Sequence, residues 1–147
     1  MKQITIYTDG ACRGNPGPGG WGATLQYGKH KKNLLGAERD TTNNRMELMA
    51  AIKALASLLE RCEIELYTDS QYLQKGITQW LPNWKKRNWK KSDNKLVKNA
   101  DLWQALDKEA QRHNITWHWV KAHSGHVENE FVDALANQAI DELLKTA

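Results

Sequence analysis

Apolar and polar residues alternate almost from the start of the chain. Ile4, Ile6 and Thr8 interleave with Thr5, Tyr7 and Asp9, a period of two that predicts a strand. Glycines and prolines crowd the stretch from Gly10 to Gly20, which reads as a loop, and the alternation restarts through Trp21, Ala23, Leu25 and Tyr27 as a second strand. A weaker third strand is expected from Lys32 to Ala37, and the short connections favour an antiparallel meander. From Asn44 the period changes. Leu48, Ala51, Ile52, Leu55, Leu58 and Leu59 recur at spacings of three and four, predicting an amphipathic helix that Thr42, Asn43 or Asn44 can cap. Ile64, Leu66 and Thr68 alternate with Glu65, Tyr67 and Asp69 as a further strand. A long polar connection rich in Trp and Lys then leads to a helix near Ala100 to Arg112. Ile115, Trp117 and Trp119 predict the last strand, and Val132, Leu135, Ala136, Ala139, Ile140 and Leu143 a closing helix. A meander followed by alternating strands and helices predicts an α/β fold with a mixed sheet.

Two of the predicted strands echo one another. Ile4-Thr5-Ile6-Tyr7-Thr8-Asp9-Gly10 and Ile64-Glu65-Leu66-Tyr67-Thr68-Asp69-Ser70 each end in Tyr-Thr-Asp and a small residue. If the two lie parallel and adjacent, Asp9 and Asp69 emerge together at the carboxyl end of the sheet, where α/β folds usually bind ligands. Carboxylates held close repel each other unless a cation sits between them. With no histidine or cysteine cluster nearby, that cation is a hard one such as magnesium or manganese. Glu47, in the first turn of the first helix, and Asp133, in the early turns of the last, can join the pair. Each acid also has a plain reading, as a turn former or as a complement to a helix dipole. Spacing alone therefore points to a metal site without naming its reaction. His123, in a loop of small residues before the last helix, is either a proton shuttle or simply a solvated side chain.

Composition narrows the field. The 147 residues are 40% hydrophobic and 26% charged, with a mean hydropathy of -0.73. That fits one soluble domain spanning 1–147. No secretory signal or membrane span is present in the pattern, so a cytoplasmic monomer without an obligate protein partner is expected. Cys12 and Cys62 have neither disulfide-framework nor zinc-site spacing. The glycines around Gly14 to Gly20 lack the Gly-Lys-Ser/Thr ending of a phosphate-binding P-loop. Asp9 lacks the second acid two residues on that an aspartyl-phosphate enzyme would use.

Charge is concentrated. The net charge is +4, yet Trp80 to Asn99 holds seven basic residues against the single acid Asp93, a net +6, leaving -2 for the rest. Trp80, Trp84 and Trp89 fall among these lysines. The combination suits a polyanion backbone with little sequence specificity, although tryptophans also serve as core anchors.

Taken together, Tyr7-Thr8-Asp9-Gly10, Thr42-Asn43-Asn44-Arg45-Met46-Glu47-Leu48, Thr68-Asp69-Ser70-Gln71, the tryptophan-lysine segment and Glu128-Asn129-Glu130 through Asp133 resemble bacterial type 1 ribonuclease H. The resemblance runs in order along nearly the whole chain. It implies a mixed five-stranded sheet, three antiparallel strands then parallel ones, flanked by helices. It also implies magnesium-dependent hydrolysis of the RNA strand of RNA-DNA hybrids with two ions, manganese being a possible substitute. By that resemblance Asp9, Glu47, Asp69 and Asp133 hold metal, and His123 assists proton transfer or product departure. Cys12, Asn15, Asn43, Asn44 and Gln71 match positions that sense RNA 2'-hydroxyls in the minor groove. Thr42 and Asn99 match a pocket for a DNA-strand phosphate. Trp80, Trp84, Lys85, Lys86 and Arg87 match a basic protrusion that grips the same strand. Three departures stand out. Asp40 replaces a frequent arginine beside the phosphate pocket, with Arg39 next to it as a substitute; Asn88 and Ala122 replace frequent glycines, and asparagine tolerates a left-handed backbone. Two other readings stay open: a junction resolvase or strand transferase on the same sheet, and a non-catalytic hybrid-binding module.

Overall fold

A computed structural model of the chain describes residues 1–121 and 125–146. Five strands and the helices between them follow the expected succession. β1 (Lys2–Cys12), β2 (Gly17–Tyr27) and β3 (His30–Thr41) form the meander. After α1 (Asn43–Ala56) come β4 (Cys62–Thr68) and β5 (Asn114–Trp119), separated by helices, and α5 (Val127–Leu144) closes the chain. The sheet order is β3-β2-β1-β4-β5, antiparallel on the meander side and parallel from β1 to β5. This is the mixed five-stranded sheet that the resemblance implies.

Two expectations need correction. The segment Gly10 to Gly20 is mostly strand: Cys12 pairs with Gly19 and Gly17 with Thr41, so the turn is confined to residues 13–16. Glycine here serves close packing. A Cβ on Gly22 would stand 2.6 Å from the Val132 carbonyl oxygen, and Gly20 faces the Ala136 carbonyl in the same way, so bare backbone lets α5 lie directly on β2. The polar connection after β4 is not irregular either. It begins as α2 (Gln71–Lys75), widens into a π turn at Gly76–Trp80 and continues as α3 (Leu81–Lys86). α4 (Ala100–Gln111) follows the basic loop.

The sheet separates two helical layers. On one face Ile4, Ile6, Ile64 and Leu66 pack against Leu48 and Leu55 of α1 and against Leu102, Trp103 and Leu106 of α4. α5 covers β1, β2 and β3 on the other. Burial of these aliphatic side chains, worth roughly 1.5–3 kcal/mol each, dominates the stabilisation. Among the described residues, no helix is long and apolar enough to cross a membrane.

Candidate active site: a buried carboxylate pocket

The parallel pairing of β1 with β4 sets the site. Its register places Tyr7 beside Tyr67, so Asp9 and Asp69, each two residues further on, leave the sheet at one level. Their rings confirm the alignment, Tyr7 and Tyr67 stacking with centroids 4.8 Å apart. α1 then brings Glu47 over the same end. Thr42 caps this helix, its hydroxyl accepting from the Arg45 N–H at 3.2 Å. The helix begins at Asn43, so Glu47 lies in its second turn and not its first. It therefore does not serve the helix dipole. It faces inward, 4% exposed, where the backbone N–H of Gly10 donates to its Oε1.

Gly10 permits this approach. A Cβ there would lie 2.5 Å from the Glu47 nitrogen and 2.6 Å from the Met46 carbonyl carbon. Carboxylate oxygens of Asp9, Glu47 and Asp69 consequently all lie within 4.8 Å of one another, with Asp9 and Glu47 buried. Asp133 stands further out. It lines the same pocket from α5, and its charge acts on Asp9.

Electrostatics identify what the pocket needs. Burial pushes the Asp9 carboxyl up to about 11, helped by the charge and hydrogen bond of Glu47 and then by the Asp69 and Asp133 charges. Burial likewise raises Glu47 to about 7, with the Asp69 charge adding to it; hydrogen bonds involving Asp9, Gly10 and Ser70 oppose that rise. Among the described residues only oxygen donors converge, and they carry more negative charge than the surroundings stabilise, which fits a hard divalent cation.

A pH dependence follows. Above about pH 4 an unfolded Asp9 has lost its proton, whereas the folded, metal-free pocket keeps one. The native state then binds more protons, so stability falls as pH rises through neutrality. In chelator, the melting temperature is expected to drop between pH 5.5 and 8.5, and Asp9→Asn to flatten the slope. Saturating magnesium should restore most of the loss by binding the deprotonated pair. A metal-free melting temperature that climbed over this range would contradict the assignment.

The other expected site residues fall into two groups. Asn43, Asn44 and Gln71 line the carboxylate pocket, whose volume is about 340 Å³. Asn15, after the turn glycine and before Pro16, accepts from the Asn43 N–H at 3.1 Å, and the Cys12 thiol points to the Gly14 carbonyl oxygen at 2.7 Å. These residues continue the same surface along the β1–β2 turn. Cys12 and Cys62 are both free thiols.

The second group is built around aromatic rings. Trp84 packs against Trp80, Trp89 and the fully buried Trp103, with centroids 5.4–6.4 Å apart. Trp80 and Trp84 are thus anchors as well as surface. Lys85 forms an ion pair with Asp107 at 3.4 Å, while Lys86 and Arg87 are exposed. Asn88 has the left-handed backbone expected of a glycine substitute, φ 57, as does Trp89. Asn99, also left-handed, accepts from the Arg45 guanidinium at 3.2 Å and donates to the Tyr72 hydroxyl at 3.0 Å. Arg39 does not turn toward this area. It donates to Leu143 and Thr146 at the C-terminal end of α5. Arg45 is the cation nearest Asn99 in the hydrogen-bond pattern, paired at 2.8 Å with Asp101. His123 and Ala122 lie outside the described residues.

Sequence reasoning missed Gly10, Ser70 and Arg45. The small residue after each Tyr-Thr-Asp was the available signal for the first two, since only a small side chain fits where a helix closes over a strand end.

A mixed sheet that gathers buried acids beside a basic aromatic ledge defines a metal-dependent hydrolase of nucleic acid. The sequence model of the family described as RNase H matches residues 1–141. The ribonuclease H of Hydrogenovibrio crunogenus is 64% identical over 143 residues, covering 97% of this chain and 99% of that one. That of Chromohalobacter salexigens is 63% identical over 97% of this chain and 87% of its own. Among solved structures, LC9-RNase H1 superposes with a TM-score of 0.87 at 31% identity, over 97% of this chain and 74% of that one. LC11-RNase H1, solved in complex with an RNA/DNA hybrid, gives 0.70 at 25% identity, over 96% and 99%. The chain belongs to the ribonuclease H family.

Proposed function

We propose that Asp9, Glu47, Asp69 and Asp133 hold two magnesium ions when substrate is bound, with manganese able to replace them, and that the whole chain 1–147 works as one catalytic domain. The reaction is endonucleolytic hydrolysis of the RNA strand of an RNA-DNA hybrid, leaving 5'-phosphate and 3'-hydroxyl ends. When bound, the ions supply activation of the attacking water and charge stabilisation of the departing 3'-oxygen. Everything else falls to side chains. Gly10 and Ser70 hydrogen-bond Glu47 and fix its carboxylate against Asp9. Asp133, on the rim, completes the set from the α5 side. His123 handles protons or releases the cut phosphate.

Cys12, Asn15, Asn43, Asn44 and Gln71 read the RNA strand, whose 2'-hydroxyls distinguish it from DNA. Thr42 and Asn99 take a DNA-strand phosphate. Trp80, Trp84, Lys85, Lys86 and Arg87 grip the same strand through its charge and sugars. The natural partner is therefore the hybrid, bound by a cytoplasmic monomer.

The observation that carries this reading is the convergence of three carboxylates within 4.8 Å, two of them buried. The test offers labelled RNA-DNA hybrid, duplex DNA and duplex RNA, each with magnesium and with chelator. Only the hybrid with magnesium is expected to be cut. Cleavage of duplex DNA would favour a resolvase or transferase, and binding without cleavage a non-catalytic module.

A further inference from the structure

Three of the four carboxylates owe their places to the sheet and to α1, whereas Asp133 rides on α5. Asp9, Glu47 and Asp69 meet within 4.8 Å; Asp133 lines the same pocket but falls outside that group. Its distance from the other acids therefore depends on how α5 is set along its own axis.

The glycine seat of α5 does little to fix that setting. The helix comes closest to β2 at Gly20 and Gly22, where a Cβ would stand 2.3 Å from the Ala136 carbonyl oxygen and 2.6 Å from that of Val132. Bare backbone permits the close approach, yet it offers no side chain at those two positions to key a helix against sliding. Polar contacts toward the two ends supply what the glycines do not. On the C-terminal side Arg13 pairs with Asp141 at 2.7 Å. At the start of the helix the Glu128 carboxylate accepts from the Gln26 amide of β2 and from the Lys31 ammonium of β3, both at 3.2 Å. The same ammonium lies 4.5 Å from the centroid of the Phe131 ring, so one cation ties two residues of the early turns. The His126 side chain makes no capping hydrogen bond to a described residue, which leaves Glu128 as the tie at this end. Glu128 precedes Asp133 by roughly 7.5 Å of helix axis, whereas Asp141 lies about 12 Å beyond it. The clamp on the β2–β3 hairpin is the nearer of the two.

We propose that Gln26 and Lys31, acting through Glu128, are positioning residues for Asp133: their clamp sets the axial register of α5 and so the distance of the fourth carboxylate from the other three. The inference rests on Asp133 being one of the metal-holding carboxylates.

Gln26→Leu and Lys31→Met, made together, remove both donors and leave every acid of the pocket in place. Manganese binding is measured by calorimetry without substrate, and the magnesium dependence of hybrid cleavage beside it. Loss of a group that orients a metal ligand typically costs roughly 10–100-fold in metal affinity, while an exposed ion pair contributes little to stability. Manganese affinity is accordingly expected to fall about tenfold, and the magnesium concentration for half-maximal cleavage to rise about as much, with hybrid KM and melting temperature close to wild type. In an Asp133→Asn background the paired substitution should add nothing, because the clamp then has no carboxylate to place. Unchanged metal affinity, or an equal loss in both backgrounds, would overturn the proposal. Asp133→Asn alone separates the two layers of the argument. If it leaves metal affinity untouched, Asp133 holds no ion and the clamp proposal fails with that reading; if it weakens affinity while the clamp variant does not, the clamp alone is refuted.

Discussion

Asp9→Asn is expected to reduce hybrid cleavage by at least ~10³-fold while leaving hybrid affinity close to wild type, because a bound cation supplies several kcal/mol of transition-state stabilisation and each 1.4 kcal/mol is a factor of ten. Asp9 is the carboxylate on which the other three act: Glu47, Asp69 and Asp133 all raise its proton affinity. An amide in its place substitutes a neutral group for one of the anionic donors that would hold the ions, without changing shape. The same substitution removes the cost of protonating Asp9 on folding in the metal-free pocket, so the variant should melt at a higher temperature than wild type in chelator at neutral pH. Steady-state cleavage, anisotropy with labelled hybrid and calorimetry read the three quantities. Magnesium-supported turnover near the wild-type rate would refute the role assigned to Asp9.

Gly10→Ala should damage both stability and activity, although it adds one methyl group. Its Cβ would meet the backbone of Met46 and Glu47 at 2.5–2.6 Å, where neither atom can swing aside as a flexible side chain would. α1 must shift off β1, at a cost of about 1–3 kcal/mol for overpacking. Glu47 moves with it. A displacement of about 1 Å at a reacting group typically lowers rate about 10²-fold. Denaturant melts and kcat on the hybrid check the two effects. A variant with wild-type rate would show that α1 can withdraw without carrying Glu47 out of place.

Much of this architecture was legible because β1 and β4 repeat the same words. Alternation identified them as strands, and the shared Tyr-Thr-Asp ending placed Asp9 and Asp69 at one level, as the pairing of Tyr7 with Tyr67 bears out. Gly17 to Gly20 misled for a physical reason: glycines that spare room for close neighbours, as Gly20 does for α5 and Gly19 for Thr41 and Ala11, have the same composition as glycines that turn a chain. The helical run from Gln71 to Lys86 escaped notice because the π turn at Gly76–Trp80 inserts extra residues and breaks the 3.6 period. Glu47 looked like a dipole partner until the cap at Thr42 moved the helix start to Asn43. Burial of the acids, and hence the proton they retain, depends on contacts between distant segments and could not be read from spacing. The roles of individual substrate-facing residues came from resemblance alone.

The aromatic pile under the basic ledge has a further consequence. Trp84 joins the ledge to Trp103, and the Tyr72 hydroxyl accepts from both the Trp103 indole at 2.9 Å and Asn99 at 3.0 Å. The ledge is consequently a cantilever fixed in the protein interior, not an arm on a hinge. If the hybrid binds there as proposed, little rotational or torsional freedom is left for the ledge to surrender, and more of the electrostatic attraction survives as net affinity.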